Sequence, residues 1–219
     1  MYDLPPVTRA LLIANVVIFL LEQVPSLRPF LIIYGALWPI GAAHFAGYAA
    51  GGAPLVAQFH FWQIVTYAFL HGGWMHIGFN MFALWMFGGP IEHLLGARHY
   101  TFFYFFCAIA AGIAHLLVAH FVIHGFYPTI GASGAIFGLL VAFGLMFPHM
   151  KMFLIFFPVP MPAWLFVIGY ILLELFLGVS GYESGVAHFA HLGGAVGGFA
   201  LLQYWRGKLP IKPRRVLTR

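Results

Sequence analysis

The sequence predicts an all-α membrane protein: a bundle of six transmembrane helices with a long first outer loop lying in the interface. Three observations predict it. Of 219 residues, 63% are hydrophobic and only 7% are charged, against roughly 25% charged in soluble domains. Mean hydropathy is +0.94, and apolar runs long enough to cross a bilayer, about 17 to 25 residues each, follow one another with short connections. Third, the basic residues gather on one side of those runs, as cytoplasmic loops require. The expected organisation is a single membrane domain over 1–219, with a transmembrane core of about 7–205 and a basic cytoplasmic tail at 206–219.

The first span is expected near 7–24. One Arg precedes its apolar run, which reaches Glu22 without a small-residue cleavage site, so a retained span is predicted rather than a removed signal peptide. The connection that follows, about 25–71, is aromatic and apolar, and it is expected to lie in the interface with Tyr34, Trp38, Tyr48, Trp62 and Tyr67 as headgroup-depth anchors. Further spans are expected near 72–91, 99–123, 133–147, 153–177 and 186–205. The fourth is short. After His124-Gly-Phe-Tyr-Pro128 the chain must enter the membrane as a loop and begin its helix near Ser133, and non-helical backbone at that depth needs protein or a water-filled cavity around it.

Arg9, Arg98, Lys151 and the tail from Arg206 fall on one side of this arrangement and Arg28 alone on the other, so both ends are expected in the cytoplasm. The net charge of +5 resides mostly in GKLPIKPRRVLTR, directly after the last apolar run. That placement fits a lipid bilayer as partner and no nucleic acid. The single Cys107 cannot form an intrachain disulfide and is read as a small core residue.

Polar residues share one depth. Ser133 lies about 15 positions before Pro148, His191 about 15 before Arg206 and His76 about 16 before Glu92, which puts all three about 22 to 24 Å above the inner boundary. His76 and Asn80, four apart, project from one helical face, and intramembrane polar groups normally face the bundle interior. Gly134 and Gly138, and Gly194 and Gly198, are also four apart and are expected to let two helices pack closely. That packing would carry His191 towards Ser133. A serine hydroxyl becomes nucleophilic when a positioned base takes its proton, and His191 is the candidate base. The only aspartate, Asp3, is remote, so a Ser133–His191 dyad is expected rather than a triad. The Ser133 N–H at a helix start, with His76 and Asn80, would supply oxyanion donors, and Gly131 and Gly134 would permit close substrate approach.

Competing uses of these residues are weaker. His44, His60, His71, His115, His120 and His124 are expected mostly in the interface, and neither His-Glu-x-x-His nor a cysteine set is present. No metal and no cofactor are expected, since His188 and His191 alone give too few ligands. Glu174, inside the fifth apolar run, should face protein or a cavity and serve structural hydrogen bonding.

These motifs are similar to those of the rhomboid family of intramembrane serine proteases. Gly131-Ala-Ser133-Gly134 matches its Gly-x-Ser-Gly, His76 to Asn80 its His-x-x-x-Asn, and Ala190-His191 with Gly194 and Gly198 its Ala-His-x-x-Gly-x-x-x-Gly. The resemblance implies Ser133 as nucleophile, His191 as base and then acid, and His76, Asn80 and the Ser133 N–H around the oxyanion. His188, one turn before His191, either lines the water-filled entrance or is simply packed. Glu92, in Gly-Pro-Ile-Glu92-x-x-x-Gly96, resembles a structural inner-loop glutamate. Phe137 stands where many members carry a tyrosine on the catalytic imidazole, and Trp62-Gln63 where a Trp-Arg pair is frequent, which puts the anchoring of the loop in question.

The expected function is therefore intramembrane endoproteolysis of transmembrane protein substrates near their outer end, favouring helix-weakening residues at the cut. Gly178, Gly181 and Gly185 would be pivots for substrate entry, and a bacterial inner membrane is the expected location. The natural substrate and oligomeric state are not read from the sequence. Two alternatives are a catalytically silent relative that binds membrane helices, disfavoured by retention of Ser133 and His191, and a redox or metal-binding bundle.

Overall fold

The computed structural model describes residues 3–41, 43–48, 52, 54–124, 126–154, 157–180, 188–213 and 216. Helix α1, Pro6–Glu22, turns the usual amphipathic pattern around. Its buried stripe is Thr8, Leu11, Asn15, Phe19 and Glu22, spaced three and four apart. Ile13, Val16, Val17, Leu20 and Leu21 stay exposed. Polar groups inside and aliphatics outside are what a lipid solvent selects. The first turn is closed from another helix: Glu92 accepts from the Val7 and Thr8 amides at 2.9 and 2.6 Å and from the Thr8 hydroxyl at 2.8 Å. Those amides have no intrahelical acceptor, and a carboxylate also suits the positive end of the helix dipole.

The first outer connection is structured. It contains α2 (Arg28–Gly35), an antiparallel hairpin of β1 (His44–Tyr48) and β2 (Pro54–Ala57), α3 (Gln63–Thr66) and a 3₁₀ turn at Tyr67–Phe69. Fully buried Gln63 ties it together. Its amide oxygen accepts from the Trp38 and His60 backbone at 3.3 and 3.1 Å, and its nitrogen donates to the Ile33 and Gln58 carbonyls. The anchoring that the Trp62-Gln63 pair put in question is thus supplied by the amide. Tyr34, Tyr48 and Trp62 are exposed, whereas Tyr67 is not at an interface. Its ring is buried because the hydroxyl donates to the Ala108 carbonyl at 2.7 Å, which satisfies its polar end inside the core.

Helix α4 (Trp74–Ala83) runs through a widened turn at Leu84–Gly88 into α5 (Gly89–Leu95). The widened turn comes just ahead of Pro90, which has no N–H to give to the preceding turn. Helix α6 (Ala97–Val118) also ends in a widened turn, Ala119–Ile123, before His124 adopts a left-handed conformation. Then come the almost wholly buried α7 (Ser133–Met146), α8 (Ala163–Ser180) and α9 (His188–Trp205). Between α7 and α8 lies a correction. The run expected as one span over 153–177 begins instead with a second hairpin, β3 (Lys151–Leu154) and β4 (Phe157–Pro162). Prolines at 158, 160 and 162 remove donors that a helix interior needs, so the helix starts only at Ala163.

Helix α9 packs chiefly on α6 and α7. Glycine is required at the crossing: a Cβ on Gly194 would overlap the Gly134 carbonyl, and one on Gly198 would stand 2.7 Å from the Gly138 Cα. Cys107 fills the other side of Gly138 from α6. Gly178 is a packing point too, where a Cβ would meet that of His188 at 3.1 Å. Gly181 and Gly185, the other expected pivots, lie outside the described residues. Among the described residues, two helical stretches, Ala97–Val122 and Ala163–Ser180, are individually long and apolar enough to cross a membrane.

Candidate active site

Ser133 is the first residue of α7, placed by a tight approach of the chain before it. Gly131 has φ +124°, its amide donates to the Tyr67 carbonyl at 2.9 Å, and a Cβ there would come 2.8 Å from His76 Nε2. Both the dihedral and the space demand glycine. From α9, His191 Nε2 lies 2.7 Å from Ser133 Oγ, although the two residues are 58 positions apart. Phe137, one turn along α7, stacks on the His191 ring at 4.6 Å with planes 6° apart. Ring packing therefore needs no tyrosine hydroxyl.

The tautomer of His191 follows from its other nitrogen. Nδ1 is 2.9 Å from Glu174 Oε2, a carboxylate from α8 that is only 5% exposed. With Glu174 accepting, Nδ1 carries the proton, and the Nε2 lone pair is left to receive the serine hydroxyl hydrogen. The same Oε2 accepts from His188 Nδ1 at 2.7 Å. His76 is oriented by the Gly72 amide, which donates to its Nδ1 at 3.2 Å and so leaves Nε2–H free to donate. His76, Asn80, Gly131, Ser133, Gly134, Phe137 and His191 all border one cavity of about 1060 Å³. Its remaining wall is largely apolar, with Phe79, Met86 and Leu140 among its residues.

Of the two readings of His188, lining the entrance or simple packing, the structure favours packing: the residue is off the wall of this cavity and buried at 4% exposure, where its hydrogen bond to Glu174 draws it into the contact between α8 and α9. Glu174 faces protein and makes hydrogen bonds, as expected; what the sequence did not show is that one of its partners is His191, the imidazole of the expected dyad. Nothing in local spacing announces that contact, because 17 positions and an inter-helix connection separate the pair. The available signal was the cost of a carboxylate inside an apolar run, which demands a donor nearby. His71 and His115, expected with the interfacial histidines, are buried: His115 meets the Thr129 hydroxyl at 2.9 Å, and His71 packs against Phe19 and His76.

Glu174, His188 and His191 also place three ligand-type atoms within 4.8 Å of one another, one more than the histidines alone. Ligands at about 2.0 to 2.1 Å from a tetrahedral zinc stand roughly 3.3 Å apart. The 2.7 and 2.9 Å separations around Oε2 are instead those of hydrogen bonds.

Residues 58–207 match the sequence model of the rhomboid domain. The chain is 37% identical over 139 residues to Rhomboid protein 1, mitochondrial, of Saccharomyces cerevisiae, covering 62% of this chain and 39% of that protein. It is 33% identical over 146 residues to Rhomboid protease GluP of Bacillus subtilis, covering 66% and 26%. Against the human Presenilin-associated rhomboid-like protein, mitochondrial, it is 29% identical over 210 residues, covering 90% and 49%. The chain thus spans between about a quarter and a half of the length of these relatives. A domain match across most of the chain, joined to a serine at a buried helix start and an imidazole in contact with it, gives one conclusion: the chain is an integral membrane protein that belongs to the rhomboid family.

Proposed function

We propose that this chain is an intramembrane serine endopeptidase that hydrolyses a peptide bond in or near the transmembrane segment of a membrane-protein substrate. The observation that carries the reading is the 2.7 Å contact between Ser133 Oγ and His191 Nε2 on the wall of a cavity. As Oγ bonds to the scissile carbonyl carbon, its proton passes to Nε2, and the carbonyl π pair moves onto oxygen. The Ser133 N–H at the head of α7, His76 Nε2–H and the Asn80 amide are the donors for that oxygen, each worth about 3 kcal/mol or more of transition-state stabilisation. His191 then returns the proton to the leaving amine. Water, admitted through the same cavity, resolves the acyl-enzyme with His191 again as base. Because helical hydrogen bonding hides the scissile carbonyl, substrates with Gly or Pro near the cut are favoured.

The membrane frame belongs to the same proposal. Six crossings are made by α1, the run α4–α5, α6, α7, α8 and α9, in one domain with both ends in the cytoplasm. Helix α7, with 14 residues, is about 21 Å long and short of a hydrocarbon core about 30 Å thick, so the serine sits below the outer surface. The relatives include both mitochondrial proteins and a Bacillus subtilis protease, so they support an integral membrane location and do not single out the bacterial inner membrane expected from the sequence.

The test is cleavage of a transmembrane substrate in proteoliposomes by wild type, Ser133→Ala and His191→Ala. Loss in both variants, with unchanged thermal unfolding, is expected. Equal cleavage by all three would remove the dyad.

A further inference from the structure

We propose that Glu174 is a positioning residue of the reaction centre, whose carboxylate holds His191 in its reactive tautomer, so that Ser133, His191 and Glu174 act as a three-membered unit. The inference rests on the protease reading above and deepens it.

The geometry runs through three helices. Ser133 on α7 touches His191 on α9, and His191 Nδ1 lies 2.9 Å from the Glu174 carboxylate on α8. Among the described residues, the carboxylate's ion-pair partners are the imidazoles of His188 and His191; no lysine or arginine pairs with it. A carboxylate inside an apolar span is costly unless hydrogen bonded, and both donors here come from one face of α9. His188, whose Nδ1 stands 2.7 Å from the same oxygen, helps to fix that oxygen in place.

Consider what changes on attack. Before it, a His191 that is to act as base carries no charge. As Oγ bonds to carbon and its proton moves to Nε2, His191 becomes an imidazolium directly beside the carboxylate. The attraction is therefore larger in the transition state than in the resting site, which is the condition for lowering the barrier rather than merely binding tighter. The carboxylate stays ionised throughout: it orients the ring and stabilises the cation, and takes no proton. Phe137 holds the opposite restraint, fixing the ring plane at 6° to its own while Glu174 fixes rotation within it. The contact also explains why His191 can present a lone pair to the serine at all. Without an acceptor at Nδ1, the proton is free to sit on Nε2, where it would face Oγ and block deprotonation.

A merely structural tie between α8 and α9 would predict a different outcome, and kinetics separate the two. In detergent or proteoliposomes containing EDTA, Glu174→Gln should lower kcat by about 10²- to 10⁴-fold and leave KM within about threefold. Its thermal unfolding should stay near that of wild type, because an amide oxygen has two lone pairs and can still accept from both imidazoles while the charge is lost. Glu174→Asp should recover part of the rate. A direct reading needs no variant: in protein labelled with ¹⁵N-histidine, His191 should carry its proton on Nδ1.

Wild-type kcat in Glu174→Gln, with Ser133→Ala and His191→Ala both inactive, would overturn the role of Glu174 and leave the protease reading standing. Activity in all of these variants would overturn the protease reading itself. Finding the His191 proton on Nε2 in the resting wild type would overturn the positioning role even if Glu174→Gln failed to fold.

Discussion

Two buried glutamates show how one side chain is put to different uses. Glu92 and Glu174 are 2% and 5% exposed. Glu92 accepts from two backbone amides and a threonine hydroxyl at the head of α1, groups that do not change charge during any reaction. Glu174 accepts from two imidazoles, one of them in contact with the cavity serine. The first carboxylate completes a helix end and joins distant segments of the chain. The second sits where a positive charge can appear and vanish. What distinguishes them is the chemistry of the donors rather than depth or burial.

That contrast can be broken by exchanging the readouts. The largest effect expected is on Glu174→Gln, a kcat loss equivalent to about 3 to 5 kcal/mol with little change in unfolding temperature. Next comes Glu92→Ala, which strands two amides and a hydroxyl; at about 1 to 3 kcal/mol for each unsatisfied group, a destabilisation of about 3 kcal/mol or more is expected. Calorimetry of that variant should show a lowered Tm, while the kcat of the fraction that stays folded is preserved. If Glu92→Ala instead cut kcat at unchanged Tm, the two carboxylates would not differ as argued.

Smaller effects sharpen the picture. Gln63→Ala removes the four-fold tie of the first outer connection and should cost about 2 kcal/mol, with proteolytic nicking in that connection as the check. Phe137→Tyr should leave kcat within about threefold, since the stacked ring is what contacts His191. A hydroxyl-dependent gain beyond tenfold would mean that ring packing alone does not describe that position.

The helices of this fold were readable because a long apolar run can satisfy its backbone within itself in lipid only by coiling into a helix. The glycine pairs were readable for a similar reason: residues four apart at Gly134, Gly138, Gly194 and Gly198 announce a close crossing, and it is the crossing that delivers His191 to Ser133. Hydropathy failed at 151–162, where apolar residues form a hairpin; the prolines held the information and the run of aliphatics masked it. Tyr67 misled because an aromatic with a hydroxyl suits an interface or a core carbonyl equally well, and only tertiary packing supplies Ala108. Glu174 and His188 depend on the rotation of α8 against α9, which no spacing within either helix encodes.

The most direct test of the account is covalent labelling of the purified wild type with a fluorophosphonate, with the modified residue mapped by mass spectrometry. The adduct is expected on Ser133, absent from Ser133→Ala and slowed by orders of magnitude in His191→Ala. An adduct on another residue, or a His191→Ala labelling rate equal to wild type, would contradict it.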